Sequence, residues 1–154
     1  MEWTNGMFAL SDQREKVDID RVAELLGATY WGAARPRPVV ERLVELSLCF
    51  SLHYGTEQIG FARIVSDLTV FSWLSDLVIA PRFRGQGLGR WLNECILSHP
   101  ELKKTQFVLQ TTTAHAFYER LGFRGSDKLM TRPSGATQQV APCGPGAAGA
   151  APGL

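Results

Sequence analysis

The sequence contains little cysteine, and its three cysteines stand far apart at positions 49, 95 and 143. No two of them form a Cys-x-x-Cys pair, and the odd number and wide spacing argue against a disulfide scaffold or a zinc site. Cys49 and Cys95 lie within apolar runs, where a free cysteine behaves as a small core residue. We therefore predict a reducing compartment, the cytoplasm, and no bound metal.

The chain also lacks an excess of charge and any long apolar run. Its formal net charge is +1, so nothing points to nucleic acid or a membrane surface as the main partner. The most apolar segment, LTVFSWLSDLVIAP, contains Asp76 and is too short to span a bilayer. The first residues have no apolar core of a secretory signal. With 154 residues, 45% of them apolar, the chain is typical of a soluble globular protein.

The end of the chain lacks charged residues altogether. From Pro133 onward it reads PSGATQQVAPCGPGAAGAAPGL, which is mostly Gly, Pro and Ala. Such a composition buries too little apolar surface to offset the entropy lost on ordering. We therefore predict one folded domain over residues 1–132 and a disordered tail over residues 133–154.

Hydrophobic periodicity predicts the element order β, α, α, β, β, β, α, β, α, β. The helix over Leu88–Ser98 should connect two parallel strands, because a helical crossover joins parallel strands, whereas the earlier strands should be antiparallel. We therefore predict a mixed α/β fold with a central, mostly antiparallel sheet flanked by helices. The remaining segments are Met7–Leu10 as an edge strand, helices DIDRVAELLGATYWG and RPRPVVERLVELS, strands LCFSLHY, QIGFARIVS, VFSWLSDLVIA and TQFVLQTTT, helix AHAFYERLGF and a final strand KLMTR.

A glycine-rich segment, APRFRGQGLGRWL, stands between a predicted strand and a predicted helix. It does not fit a P-loop, because Gly89 is followed by Arg90-Trp91 instead of Lys-Ser/Thr, and its glycine spacing does not fit the dinucleotide fingerprint. Backbone N–H groups at alternate glycines and the start of a helix can bind an anion. The segment therefore suits a pyrophosphate on a long thin molecule, with a plain glycine-rich turn as the alternative.

A second motif, AHAFYERLGF, follows at a distance that makes the pair specific. Together the two motifs resemble the GNAT family of N-acetyltransferases over residues 1 to about 132. VIAPRFRGQGLGRWL resembles the acyl-CoA motif of that family, and Ala114, Tyr118, Gly122 and Phe123 resemble its A-x-x-x-Y-x-x-x-G-F signature. The resemblance implies a GNAT-like acyl-CoA N-acyltransferase fold with a splayed parallel strand pair, acetyl-CoA as co-substrate, and an amine as acceptor.

The resemblance also implies roles for individual residues. Tyr118 would stand near the thioester sulfur, where a phenol that is protonated at neutral pH can donate a proton to the departing thiolate. Thr111 stands where many members have an asparagine that helps to bind the cofactor, and its hydroxyl has less reach. The strand backbone would pair with the pantetheine arm, and the glycine-rich segment would hold the pyrophosphate. The cofactor-binding residues implied are Leu77, Val78, Ile79, Arg84, Gly85, Gln86, Gly87, Leu88, Gly89, Arg90, Thr111 and Phe117.

The general base is left open by the sequence. Asp76 is a candidate, because a carboxylate in a mostly apolar strand is costly unless it has a partner or a function. The alternative is that Asp76 binds a backbone N–H group or pairs with Arg63. His115 is another candidate, with a solvated surface histidine as its alternative.

The acceptor site is predicted around the segment ATYWGAARPRP. The aromatic rings of Tyr30 and Trp31 could line the binding site of an amine. Arg35 and Arg37 could bind a carboxylate of the acceptor. The alternative places Trp31 in the core and leaves the arginines solvated. Trp73, with Phe71 as a further candidate, could line the same cleft.

The predicted acceptor is a small-molecule amine, because the chain has no evident acidic run to bind a basic protein tail. The substrate-binding residues predicted on this basis are Tyr30, Trp31, Arg35 and Trp73. Acetylation of a protein or peptide amine, and a non-catalytic acyl-CoA-binding regulatory module, are the alternatives. The oligomeric state, including a homodimer, stays open.

Overall fold

The computed structural model describes residues 1–32 and 35–132, so the predicted tail over 133–154 lies outside the described residues. The chain divides into two units, Met1–Phe123 and Arg124–Leu154. Every helix and strand among the described residues belongs to the first unit. The final strand predicted over KLMTR is absent, and there the side chains of Leu129 and Met130 are exposed. That prediction was wrong, because no sheet face buries these apolar side chains.

The described part of the first unit contains six strands, four α-helices and two short 3₁₀ turns. None of these helices is long and apolar enough to cross a membrane. The elements are β1 (Glu2–Asn5), β2 (Phe8–Ser11), α1 (Ile19–Gly27), α2 (Arg37–Glu45), β3 (Leu48–Tyr54), β4 (Glu57–Ser66), β5 (Phe71–Ile79), α3 (Leu88–Ser98), β6 (Gln106–Val108) and α4 (His115–Glu119), with the 3₁₀ turns at Arg14–Lys16 and Pro81–Phe83.

The six strands form one sheet in the order in which they occur along the chain. All neighbours are antiparallel except β5 and β6, which are parallel and separated in sequence by α3. This arrangement confirms the predicted mixed fold. The parallel pairing covers only Phe71–Trp73 of β5, and β5 continues to Ile79 without β6 beside it. The stretch of β5 after Trp73 thus pairs with β4 on one side and has no strand partner on the other side.

The edge of the sheet is β1, which sequence analysis missed. The predicted edge strand corresponds to β2, and β1 pairs with it antiparallel through a tight turn in which Gly6 has a φ of +58°. Because β1 is mostly polar and exposed, it shows no apolar alternation. Trp3 nevertheless anchors it, since its ring centroid lies 6.1 Å from that of Phe50 in the core.

The first two helices lie within the predicted segments but are shorter than predicted: α1 ends at Gly27, before Tyr30 and Trp31, and α2 spans only Arg37–Glu45. The Asp18 side chain caps α1 by accepting a hydrogen bond from the Arg21 N–H at 3.0 Å. Pro38 lies in the first turn of α2, where its missing N–H removes no helical hydrogen bond. The core between helices and sheet contains the fully buried side chains of Val22, Leu26, Val40, Phe50, Phe61, Ile64, Leu92 and Ile96.

Candidate active site

A cleft of about 370 Å³ opens where β5 ends and α3 begins. Its volume lies in the range typical of small-molecule sites. One wall comes from the glycine-rich segment and α3, and the other comes from α4 and the turn that follows it. The lining residues are Ile79, Phe83, Arg84, Gly85, Gly87, Leu88, Gly89, Arg90, Phe117, Arg120 and Leu121.

Glycine is required at two positions of this cleft by the backbone. Gly85 and Gly87 both have a φ of +78°, in the left-handed region that L side chains rarely adopt. Gly87 directly precedes α3, so the N–H groups of the first helical turn have no partner within the helix. Gly89 has an ordinary φ, and a Cβ there would lie 3.9 Å from side-chain atoms of Ile79 and Phe117. The cleft therefore offers unpaired N–H donors and the positive end of a helix.

Three arginines, Arg84, Arg90 and Arg120, line this end of the cleft, and Arg82 lies in the neighbouring 3₁₀ turn; the four differ in their partners. Arg84 donates from Nε to the Ile79 carbonyl at 2.9 Å. Arg90 pairs with Glu94 at 2.7 Å, and Arg82 pairs with Glu57. Arg120 lines the cleft and forms no ion pair with any residue in the described part of the chain.

Arg120 was missed by sequence analysis. It occupies an unspecified position of the second motif, two residues after Tyr118, so no motif residue marks it. Only the folding of α4 against the glycine-rich segment reveals that its charge belongs to the cleft.

The other residues predicted to bind the cofactor are less uniformly placed. Ile79, Leu88 and Phe117 line the cleft, whereas Gln86 is exposed outside its lining. The Thr111 hydroxyl oxygen accepts a hydrogen bond from the Ala114 N–H at 3.0 Å, which fixes the turn before α4. Leu77 and Val78 precede Ile79 on β5, in the stretch that has no pairing with β6.

Tyr118 stands next to the cleft on α4. Its ring packs edge-on against Phe117 and Phe123, with centroid distances of 5.0 and 5.6 Å. Its hydroxyl makes no hydrogen bond within residues 1–32 and 35–132. Burial raises the pKa of the Tyr118 phenol above its ordinary value. The phenol is therefore protonated at neutral pH.

Strand β5 contains a β-bulge opposite Ala62 of β4. Phe61 pairs with Val78 and Arg63 pairs with Ser75, so Ala62 alone faces two residues of β5. The first of these two, Asp76, has a φ of +53°, which is uncommon for a residue other than glycine. Bulges bend a strand and change the direction of its side chains. This bulge consists of Asp76 and Leu77, so it lies at the beginning of the Leu77–Ile79 stretch.

The buried Asp76 carboxylate lies between two guanidinium groups. Arg63 donates from Nε to Asp76 Oδ2, and Arg35 Nη1 lies 2.7 Å from Asp76 Oδ1. The pairing with Arg63 is the alternative that the sequence left open for Asp76. Arg63 also donates to the hydroxyls of Ser47 and Ser75, at 3.3 and 3.4 Å.

The aromatic residues predicted for the acceptor site lie near this ion-pair cluster or on the same strand. The Arg35 guanidinium lies 5.8 Å from the centre of the Trp31 ring. Trp31 is 39% exposed and Tyr30 is 76% exposed, so neither is a core residue. Trp73 is half-buried on the same face of β5 as Ser75.

Three further candidates lie outside the cluster. Arg37 pairs with Asp20 and Glu41 on the exposed side of α2. Phe71 is partly exposed at the beginning of β5, and His115 is exposed at the first residue of α4.

Comparison with known proteins places the chain beside acetyltransferases. Residues 45–125 match the acetyltransferase (GNAT) domain. A Gibberella zeae protein assigned as an acetyltransferase is 27% identical over 146 residues, which cover 79% of this chain and 82% of that protein. The crystal structure of a GNAT-family protein from Xanthomonas campestris superposes with a TM-score of 0.78 at 32% identity, covering 82% of this chain and 92% of that one.

A more distant structural neighbour matches in fold alone. A GNAT-family acetyltransferase from Elizabethkingia anophelis, solved with acetyl-CoA bound, has a TM-score of 0.61 at 17% identity and covers 80% of each chain. Taken with the domain match, these likenesses show that the chain belongs to the GNAT family of acetyltransferases. The family inferred from the two sequence motifs is thereby confirmed.

Proposed function

We propose that this protein transfers the acetyl group of acetyl-CoA to a primary amine of a small molecule, by direct attack in a ternary complex. The observation that carries the proposal is the cleft at the start of α3, which joins unpaired N–H donors and arginines to the unpaired side of β5. The acetyl-CoA bound to the Elizabethkingia anophelis neighbour supports the choice of donor.

The cleft is suited to the anionic end of acetyl-CoA. The first-turn N–H groups of α3 and the left-handed glycines would bind the pyrophosphate, with Arg84, Arg90 and Arg120 supplying charge. The pantetheine arm would pass Ile79 and run along β5 toward Leu77, where β6 leaves the backbone without a strand partner. Phe117 would close the opposite wall, and Thr111 would hold the turn behind it.

The transfer requires a neutral amine that attacks the thioester carbonyl carbon. A backbone N–H of the Leu77–Ile79 stretch would stabilise the negative charge that develops on the carbonyl oxygen. The carbon–sulfur bond then breaks, and Tyr118 would donate its proton to the sulfur that leaves as a thiol. Holding both substrates in line supplies much of the acceleration.

The amine must also lose a proton, and the ion pairs of Asp76 help to choose among the candidate acceptors of that proton. Both carboxylate oxygens of Asp76 already face guanidinium nitrogens. This arrangement favours Asp76 as the counter-ion that positions Arg35 and Arg63, with water or the exposed His115 as acceptor of the proton. We place the reaction in a reducing cytoplasm on the cysteine content of the sequence.

A thiol-release assay with acetyl-CoA and a panel of amines and peptides tests the proposal. Tyr118→Phe should lower kcat by roughly 10²- to 10⁴-fold, the usual contribution of a general acid, with unchanged affinity for acetyl-CoA. Tyr54→Phe is the matched control, because Tyr54 packs against Phe8 and Phe83 through its ring. Release with peptides alone would replace the small-molecule acceptor, and tight acetyl-CoA binding without any release would favour a binding module.

A further inference from the structure

We propose that the acceptor carries an anionic group, a carboxylate or a phosphate, within a few bonds of its amine, and that Arg35 and Arg63 bind this group. The inference rests on the proposed acetyl transfer and names the class of acceptor. It follows from the charge, the hydrogen bonding and the position of the Arg35–Asp76–Arg63 cluster.

The cluster has one more positive charge than negative charge. Asp76 is the acid that pairs with Arg35 and with Arg63 in the described structure, and its side chain is 2% exposed. Arg63 is 13% exposed and Arg35 is 27% exposed, so water screens the excess charge only in part. Arg37, by contrast, pairs with two acids at an exposed position. A partly buried excess of positive charge is costly unless an anion compensates it.

Arg35 also has unused hydrogen-bond donors. Its buried Nη1 forms the ion pair with Asp76 Oδ1 at 2.7 Å, so the donors that remain for a ligand are those of Nε and Nη2. Nowhere in residues 1–32 and 35–132 do these two nitrogens have a hydrogen-bond acceptor with good geometry. A guanidinium presents five N–H groups in a planar fork that matches a carboxylate or a phosphate.

The surroundings hold Arg35 in place while leaving it accessible. Trp31 lies under the guanidinium at 5.8 Å and is itself 39% exposed. Cation–π contact of this kind orients a guanidinium without consuming its N–H donors. Arg63 donates hydrogen bonds to the hydroxyls of Ser47 and Ser75, which orient it beside the same carboxylate.

The cluster lies where an acceptor must bind for transfer to occur. Asp76 directly precedes Leu77, at the start of the stretch proposed to hold the thioester end of acetyl-CoA. Consecutive Cα atoms are about 3.8 Å apart. An anion on Arg35 and Arg63 would therefore place an amine a few bonds away close to the thioester carbon. Amino acids and aminoalkyl phosphates have this geometry.

The experiment compares acceptors that differ only in the anionic group. One set is an amino acid, its amide and the amine without the carboxylate, and the second set is an aminoalkyl phosphate and its amino alcohol. The measured quantity is kcat/KM for each acceptor at saturating acetyl-CoA. We expect the anionic members to react roughly 10- to 100-fold better, as for a hydrogen bond to a charged partner.

Variants of the cluster assign the effect to Arg35. Arg35→Gln should remove most of the preference through KM for the anionic acceptor, because only Arg63 remains to bind the anion, with KM for acetyl-CoA unchanged. Arg35→Lys keeps the charge and should retain part of the preference. Arg37→Gln is the matched control and should behave as wild type, because Arg37 is paired on the exposed side of α2.

The outcomes separate this inference from the proposed function. Equal or faster turnover of the neutral acceptors would overturn the inference and leave the acetyl transfer standing. An anionic preference of unchanged size in Arg35→Gln would also overturn it. If acetyl-CoA binds and no acceptor of either kind reacts, both proposals fail. The ratio between the amino acid and the aminoalkyl phosphate identifies which anion is bound.

Discussion

Arg35 Nη1 lies 2.7 Å from Oδ1 of the buried Asp76, which connects the segment between α1 and α2 to the bulge in β5. Because Arg63 binds the other carboxylate oxygen, a single acid joins three parts of the chain. The ion pair therefore bears on both the stability of the fold and the proposed chemistry of the site.

Asp76→Asn should lower the free energy of unfolding by about 3 kcal/mol, because it leaves two guanidinium groups without their buried counter-ion. Asparagine tolerates the positive φ of the bulge, so the backbone should keep its conformation. Urea unfolding measures the loss. Glu45→Gln is the control: it breaks an exposed pair with Arg42 and should cost less than about 0.5 kcal/mol. A loss of unfolding free energy in Asp76→Asn as small as that in Glu45→Gln would show that the buried ion pairs of Asp76 contribute little to stability.

Alanine substitutions at Gly87 and Gly89 should affect different properties, the stability of the fold and the binding of acetyl-CoA respectively. Gly87→Ala should destabilise the fold by about 1–2 kcal/mol, since its φ of +78° is strained for an L residue. Gly89→Ala keeps the fold, because its new Cβ would make ordinary 3.9 Å contacts with Ile79 and Phe117. That methyl group nevertheless stands in the cleft, so acetyl-CoA should bind more weakly.

Thermal unfolding and calorimetric titration with acetyl-CoA separate these two effects. A stable Gly87→Ala variant would mean that the left-handed turn is not needed for folding. Undiminished acetyl-CoA binding by Gly89→Ala would place the cofactor away from this part of the cleft.

Arg120→Gln should weaken acetyl-CoA binding by roughly tenfold, because it removes the charge-assisted hydrogen bonds of a cleft arginine that has no acid partner among the described residues. The salt dependence of the affinity should decrease as well. Arg82→Gln removes the same charge at a position that Glu57 already pairs, and it should have a smaller effect. Equal effects of the two substitutions would indicate that Arg120 acts through the overall positive charge near the cleft and makes no specific contact with acetyl-CoA.

The raised pKa of Tyr118 predicts a change of stability at alkaline pH. An unfolded tyrosine loses its proton near pH 10, before the folded one does. The stability that this group contributes is therefore fully present below about pH 10 and is lost as the pH rises through the folded pKa. Wild type should lose stability relative to Tyr118→Phe above about pH 10, with a constant difference between about pH 6 and 9. Parallel profiles of wild type and Tyr118→Phe would contradict the assignment.

The sequence alone was sufficient for the family and for most of the fold. The glycine-rich segment and the A-x-x-x-Y-x-x-x-G-F signature lie within short stretches, and the order of apolar periods predicted the parallel pair β5–β6. These features are local, because a left-handed turn, a helix start or a strand depends on neighbouring residues. The polar edge strand β1 escaped detection for the same reason: only its pairing with β2 makes it a strand.

Tertiary structure alone decided which charges meet. Arg35 is distant in sequence from Arg63 and Asp76, and a shift of one residue in the β4–β5 register would move Arg63 or Asp76 to the other face of the sheet. The bulge at Asp76 and the connection between α1 and α2 bring the three together. Arg120 enters the cleft in the same way, through the placement of α4. Periodicity along a chain describes which side of an element is buried, but long-range ion pairing depends on how the elements are set against one another.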